Sequence, residues 1–130
     1  MIYITRLLIA GHDHFPEGMK KTGEFISGLE NGIEICALNS DESTDVYKEK
    51  LQALIHCNSN EGIIIFCDLI GGTPFKVALQ LSKELDKHIR IIAGINLPGL
   101  LTGIMLQDSM KVDELVEEIV KESSQGVKAL

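Results

Sequence analysis

Residues 62–75, GIIIFCDLIGGTPF, decide the architecture of this chain. The apolar run from Gly62 to Cys67 stops at Asp68 and passes through Gly71-Gly72 into Thr73-Pro74. A run with no polar alternation is what a parallel strand covered on both faces requires, so it reads as the central strand. Thr can cap a helix and Pro is favoured in its first turn, so a helix is expected to start at Thr73. That helix carries Phe75, Ala78, Leu79, Ser82 and Leu85.

The same strand, turn and helix order repeats outward in both directions. Upstream, Tyr3–Ala10 reads as a strand and Phe15–Leu29 as a helix, with Phe15, Met19, Phe25, Ile26 and Leu29 near one face. Gly28 and Asn31-Gly32 end that helix, and Ile33–Leu38 is a second strand. Ser43 or Thr44 caps a helix that runs to about His56, with Tyr47, Leu51, Leu54 and Ile55 on one stripe. Downstream, Arg90–Gly94 is a fourth strand, Asn96–Gly99 a break and Leu100–Leu106 a short helix. Val112–Glu122 is a last helix, carrying Val112, Leu115, Val116, Ile119 and Val120, and the tail Gly126–Leu130 is an edge strand or a frayed end. Strands alternating with helices predict a doubly wound α/β fold. Its mostly parallel sheet has about four parallel strands plus a short C-terminal antiparallel edge strand, with right-handed crossovers and helices on both faces.

Composition narrows the function classes. At 130 residues the chain is expected to be one domain, residues 1–130. No segment approaches the roughly 18 apolar residues of a membrane span, and the start MIYITRLLIAGHDH lacks the pattern of a signal peptide, so the expected location is cytoplasmic. Cys36, Cys57 and Cys67 are widely spaced and form no CxxC pair, which suits thiols in a reducing compartment. The net charge is −7, basic residues are scattered, and there are four Phe, two Tyr and no Trp; nucleic acid is not an expected partner. An acidic chain suits a basic partner protein or a small substrate.

The chemistry concentrates where strands end. In a parallel sheet the carboxyl ends share one rim, which brings His12, at the end of the first strand, towards Asp68, at the end of the third. A carboxylate there accepts a hydrogen bond from one imidazole nitrogen, fixes the tautomer and leaves the other nitrogen a lone pair for attack. Gly71, Gly72 and Thr73 add close backbone approach, a hydroxyl and the free N–H groups of a helix start, which together favour an anion. A nucleophilic histidine, an orienting carboxylate and a phosphate-sized anion site point to phosphoryl transfer through a phosphohistidine. Each part also has a plain reading, with His12 a polar loop residue, Gly71-Gly72 a tight turn and Asp68 a cap. The convergence on one rim gives the set its weight. His14 is the rival acceptor. The pair His12 and His14 would suit a metal, but no further cluster completes a ligand set and no metal or other cofactor is expected. His56 and His88 read as surface residues.

These residues also carry a resemblance. GHDHFPEG (11–18), DLIGGTPF (68–75), AGINLPGLL (93–101) and the closing GVKAL (126–130) together resemble the mannose-class EIIA components of the bacterial phosphoenolpyruvate-dependent sugar phosphotransferase system (PTS). The resemblance covers essentially the whole chain. It implies that His12 accepts a phosphoryl group from the phosphocarrier HPr and passes it to a IIB component during sugar uptake, with the membrane components IIC and IID engaged only indirectly. It further implies that Asp68 orients His12, that Gly71, Gly72 and Thr73 hold the phosphoryl group, and that the chain is a homodimer through strand 126–130. Two other roles share these features: the phosphotransfer subunit of dihydroxyacetone kinase, and a regulatory module that signals through phosphohistidine. The chain departs from the family pattern at Gly11, where Ser is common, at Asp13, where Gly is usual, and at Gly99, where Met is usual. Asp13 sets a second carboxylate beside a dianionic phosphohistidine, and so bears on donor preference and transfer rate.

Overall fold

The computed structural model describes residues 5–30, 32–57 and 62–130. Four strands, β1 (Arg6–His12), β2 (Glu34–Leu38), β3 (Ile63–Cys67) and β4 (Ile89–Ala93), form one sheet in the order β2-β1-β3-β4, with every neighbouring pair parallel. The helices α1 (Phe15–Ser27), α2 (Thr44–His56), α3 (Thr73–Glu84), α4 (Leu97–Leu106) and α5 (Val112–Gln125) cover both faces. Alternation along β1 sorts the core. Leu7 and Ile9 join Ile64, Phe66 and Ile92 under α4 and α5, while Leu8 and Ala10 join Ile63, Ile65 and Cys67 under α2 and α3. Each large side chain so buried contributes about 1.5–3 kcal/mol, which is why a five-residue strand such as β3, buried throughout, can anchor the sheet. Among the described residues no helix is long and apolar enough to cross a membrane.

The chain leaves β1 towards β2 on one side and enters β3 on the other. The winding therefore reverses between β1 and β3, and the carboxyl ends of these two strands open a crevice. The opposite end of the sheet is tied by Arg6. Its buried guanidinium donates to both Glu34 carboxylate oxygens, at 3.0 and 2.7 Å, and to the carbonyls of Leu54 and Ile55, at 2.8 and 2.9 Å. One side chain thus satisfies β2 and the last turn of α2 together.

Several boundaries and faces differ from the sequence reading. The strand that begins the fold runs on to His12, because Gly11 and His12 pair with Ala37 and Leu38 of β2; residues 1–4, and Asn31 in the expected helix stop, lie outside the described residues. In α1, Phe25 and Ile26 are exposed and not inward, and Leu29, expected on the same face, lies past the Gly28 cap and is exposed too. The helix approaches α4 through Gly23, where a Cβ would lie 2.9 Å from Leu100 Cδ2, and Phe25 stands about 200° further round. In α3 the buried stripe is Pro74, Val77, Ala78 and Leu81, which leaves Leu79 outside.

Caps and ends differ too. The residue capping α3 is Gly72, in extended backbone, so Thr73 is already helical and its hydroxyl does not cap. Asn96–Gly99 begins α4 instead of breaking the chain: Asn96 Oδ1 accepts from Gly99 N at 3.1 Å. Ser43 caps α2 through Val46 N, as one of the two expected choices. The tail is not an edge strand within this chain. A strand requires a ladder partner, and α5 delivers residues 127–130 with Val127 and Leu130 exposed and unpaired to the sheet.

Candidate active site

His12 and Asp68, 56 positions apart, meet in the crevice. Asp68 Oδ2 lies 2.8 Å from His12 Nδ1 and accepts the His12 backbone N–H at the same 2.8 Å, while Oδ1 accepts Leu69 N–H at 3.0 Å. The carboxylate is nearly covered, its side chain 10% exposed, whereas the imidazole is 42% exposed. With Nδ1 held by a carboxylate, the ring carries its proton there and presents Nε2 as a lone pair. The main-chain bond fixes where the ring starts and the Nδ1 bond fixes its rotation.

The Asp68–Thr73 turn then wraps the exposed edge of the ring. Gly71 has a φ of +87°, a left-handed conformation open to glycine, and it turns the chain back towards β1. Gly72 approaches the imidazole directly, since a Cβ there would sit 2.8 Å from His12 Cε1 and 3.4 Å from Nε2. Lys76 N bonds to Gly72 O at 2.9 Å, so the helix is closed from its first turn and its leading N–H groups stay open, Pro74 having none to offer. The structure therefore brings His12, Asp68 and Gly72 into contact, with Gly71 as the turn and Thr73 as the first helical residue. Among the described residues the Thr73 hydroxyl has no hydrogen-bond partner.

The other candidates sort by surroundings. His14, 89% exposed, ends the turn before α1 and has Asp13 Oδ2 3.7 Å from its Nε2; no carboxylate orients it as Asp68 orients His12. Cys67, which precedes Asp68, is buried, and burial together with the Asp68 charge pushes its thiol up to about 12. It is thus a protonated neighbour and not a competing nucleophile. Among the described residues, no group of three or more His, Cys, Asp or Glu side chains could hold a metal ion. His56 is exposed, and His88 shares Asp113 Oδ1 with Arg90 at the far rim.

Two of the departures have steric causes. A Cβ at Gly11 would stand 3.2 Å from Asp68 Cγ and Oδ2 and from Phe15 Cδ1, so this glycine lets Asp68 close on the strand. A side chain at Gly99 would run into Ser123 Oγ, whose buried hydroxyl has no partner among the described residues; α4 and α5 meet there without space for a larger residue. Sequence reasoning passed over Leu69 and Ile70, which are 50% and 74% exposed in the turn beside His12. Their signal was available: two large apolar residues stand after the strand has ended and before the glycines.

A doubly wound sheet with an imidazole and a carboxylate paired at its switch point presents an oriented nucleophile at the crevice where open α/β sheets bind ligands. Residues 6–120 match the EIIA-man family, described as PTS system fructose IIA component, and the chain belongs to that family. It is a phosphocarrier component of a sugar phosphotransferase system. It is 29% identical over 121 residues to the PTS system fructose-specific EIIA component of Bacillus subtilis, covering 92% of this chain and 82% of that protein. It is 30% identical over 126 residues to the PTS system mannose-specific EIIAB component of Escherichia coli, covering 95% of this chain and 39% of that longer protein. The crystal structure of phosphotransferase system component EIIA from Streptococcus agalactiae superposes with a TM-score of 0.90 at 28% identity, covering 97% of each chain.

Proposed function

We propose that His12 is the phosphoryl acceptor, through Nε2, and that the chain carries the group from phosphorylated HPr to a IIB component. The observation that carries this reading is the 2.8 Å contact between Asp68 Oδ2 and His12 Nδ1 beside the close approach of Gly72. As Nε2 attacks phosphorus, the P–N bond of the donor breaks and its electron pair stays on the donor nitrogen. The His12 ring gains positive character, which the Asp68 carboxylate offsets through the Nδ1 proton. The Gly71-Gly72 turn and the open N–H groups at Thr73 face the incoming oxygens, and no cofactor takes part. Labelling with radioactive phosphoenolpyruvate, enzyme I and HPr tests the assignment: the wild-type chain takes up phosphate and His12→Ala does not. Equal labelling of His12→Ala overturns it.

The same reading places the chain in the cytoplasm as a single domain, with IIC and IID reached only through IIB. It also makes the chain a homodimer. Support comes from the exposed tail, the open outer edge of β4 and a groove of about 250 Å³ along that edge lined by Ile92, Ala93, Val120 and Val127. A strand from a second copy would pair there and cover apolar surface. Removal of residues 126–130 is expected to turn a dimer into a monomer in sedimentation velocity; a full-length monomer at high concentration refutes the dimer.

A further inference from the structure

Among the described residues, Asp13 alone of the non-glycine residues has a positive φ, at 54°. It sits directly after the acceptor histidine, and its N–H is fixed to Leu38 O at 2.9 Å as the last rung between β1 and β2. The left-handed turn is therefore set by the sheet, and glycine would occupy it without strain. Among the described residues the Asp13 carboxylate makes no hydrogen bond that would explain it. It is 69% exposed, and its ionic neighbour is His14 Nε2 at 3.7 Å, beyond hydrogen-bond reach and itself 89% exposed. On α1 and α2, Lys21 bonds Glu17 at 2.8 Å and Lys50 bonds Glu42 at 2.8 Å, so neither ammonium is paired with Asp13. A left-handed backbone position thus holds an exposed negative charge directly after His12, at the same end of the sheet as the exposed apolar residues Leu69 and Ile70 that follow β3.

We infer that Asp13 is a specificity-determining residue for the phosphoryl donor, selecting a protein that brings a cationic side chain next to its own phosphohistidine. The inference rests on His12 as acceptor. In the transfer, a PO3 unit leaves the donor nitrogen, which keeps the electron pair of the broken P–N bond, and bonds to His12 Nε2, while the Nδ1 proton stays on His12. Donor phosphate and Asp13 are both negative, in a chain whose net charge is already −7, so close approach is repulsive until a cation intervenes. A cation on the donor that meets Asp13 converts that repulsion into a docking contact and sets the donor over Leu69 and Ile70. A donor without one is disfavoured, which is discrimination by repulsion as much as by attraction.

Purified phosphorylated HPr is the probe, with Asp13→Asn removing the charge and Asp13→Gly removing charge and backbone strain together. Wild-type uptake is expected to slow steeply from about 0.01 M to about 0.15 M ionic strength. Both variants are expected to raise the KM for phospho-HPr by roughly tenfold at low salt, to keep kcat within about twofold, and to flatten the salt dependence. Asp13→Gly is also expected to melt at a higher temperature than wild type, so that a folding defect cannot account for its weaker docking. Wild-type KM and salt slope in Asp13→Asn, with label on His12 in both proteins, overturn the role of Asp13 and leave the acceptor intact. A wild-type chain that takes no label overturns both.

Discussion

Asp68 Oδ2 accepts two hydrogen bonds from the same residue, His12, one from its main-chain N–H and one at Nδ1, each 2.8 Å long. A single oxygen therefore ties the end of β1 to the residue that follows β3, and sets the imidazole in one rotamer. Strand placement and ring orientation are one arrangement, so the nucleophile needs no separate ordering step before it meets a donor.

Replacement of Asp68 by Asn separates the two bonds. The amide oxygen can still take one N–H, but the charge that offsets the developing imidazolium is gone, and its NH2 can face Nδ1 and stabilise the wrong tautomer. Transfer from phospho-HPr is expected to fall about 10²–10⁴-fold. Stability is expected to drop by only about 1–3 kcal/mol, from one poorly paired buried group. Rapid-quench rates and urea melts measure the two effects separately; a transfer rate within threefold of wild type contradicts the orienting role.

Gly72→Ala tests the closeness of the turn. Gly72 has φ −76°, so alanine meets no backbone strain there, but its methyl carbon would lie 2.8 Å from His12 Cε1. The ring is the part able to move, and movement breaks the Nδ1 bond. Transfer is expected to fall more than about tenfold while the melting midpoint stays near wild type. Gly71→Ala is the opposite case, with open space for a Cβ but a φ of +87°, and is expected to cost about 1–2 kcal/mol of stability. Equal transfer rates for Gly72→Ala and wild type would show that the approach has no consequence.

The buried thiols give a prediction about reactivity and pH. Cys36 and Cys67 are buried and Cys57 is exposed. Burial raises both buried thiols, Cys67 up to about 12. A native chain at pH 8 is therefore expected to react with one equivalent of a disulfide reagent quickly, and with three after unfolding. An unfolded thiol ionises near 8.5, so between there and about 12 the unfolded state releases a proton that the folded state keeps. These groups thus favour folding below the unfolded value, and that contribution is lost as pH rises through this window. Fast reaction of two or more thiols in the native chain contradicts the burial.

How far the sequence could be read depends on which interactions fix each feature. The meeting of His12 with Asp68 was legible, because parallel strands place their carboxyl ends on one rim whatever the side chains do. The stripe of α5 was legible in most of its length: Val112, Leu115, Val116 and Ile119 are buried against the sheet and α4, whereas Val120, expected on the same stripe, is exposed. The face of α1 was not. Phe25 and Ile26 are apolar at helical spacing, but the helix packs where Gly23 lets Leu100 and Ile104 approach, and a missing side chain leaves no hydrophobic signal. The cap of α3 was hidden for a related reason: Thr73-Pro74 matches the preference for a helix start, while the extended backbone at Gly72 moves the cap back by one residue. The pairing of the tail depends on a ladder partner that this chain does not supply.

Arg6 provides a change in stability that should leave transfer untouched. Its guanidinium, 6% exposed, satisfies Glu34 and the carbonyls of Leu54 and Ile55 at the amino end of the sheet, across the molecule from the crevice. Arg6→Leu leaves a partly buried carboxylate and two carbonyls without their donor, and is expected to cost about 3–5 kcal/mol. With a urea slope of about 1–3 kcal/mol/M, the midpoint moves down by more than about 1 M. The double variant Arg6→Leu/Glu34→Leu removes the stranded charge and is expected to recover part of the loss, though the Leu54 and Ile55 carbonyls still lack a partner. Phosphoryl uptake per folded molecule is expected to match wild type in both, because neither residue approaches His12 or the Asp68–Thr73 turn. If Arg6→Leu slows uptake while the chain is fully folded, the two ends of the sheet are mechanically coupled, and the crevice is not the self-contained unit that its hydrogen bonds describe.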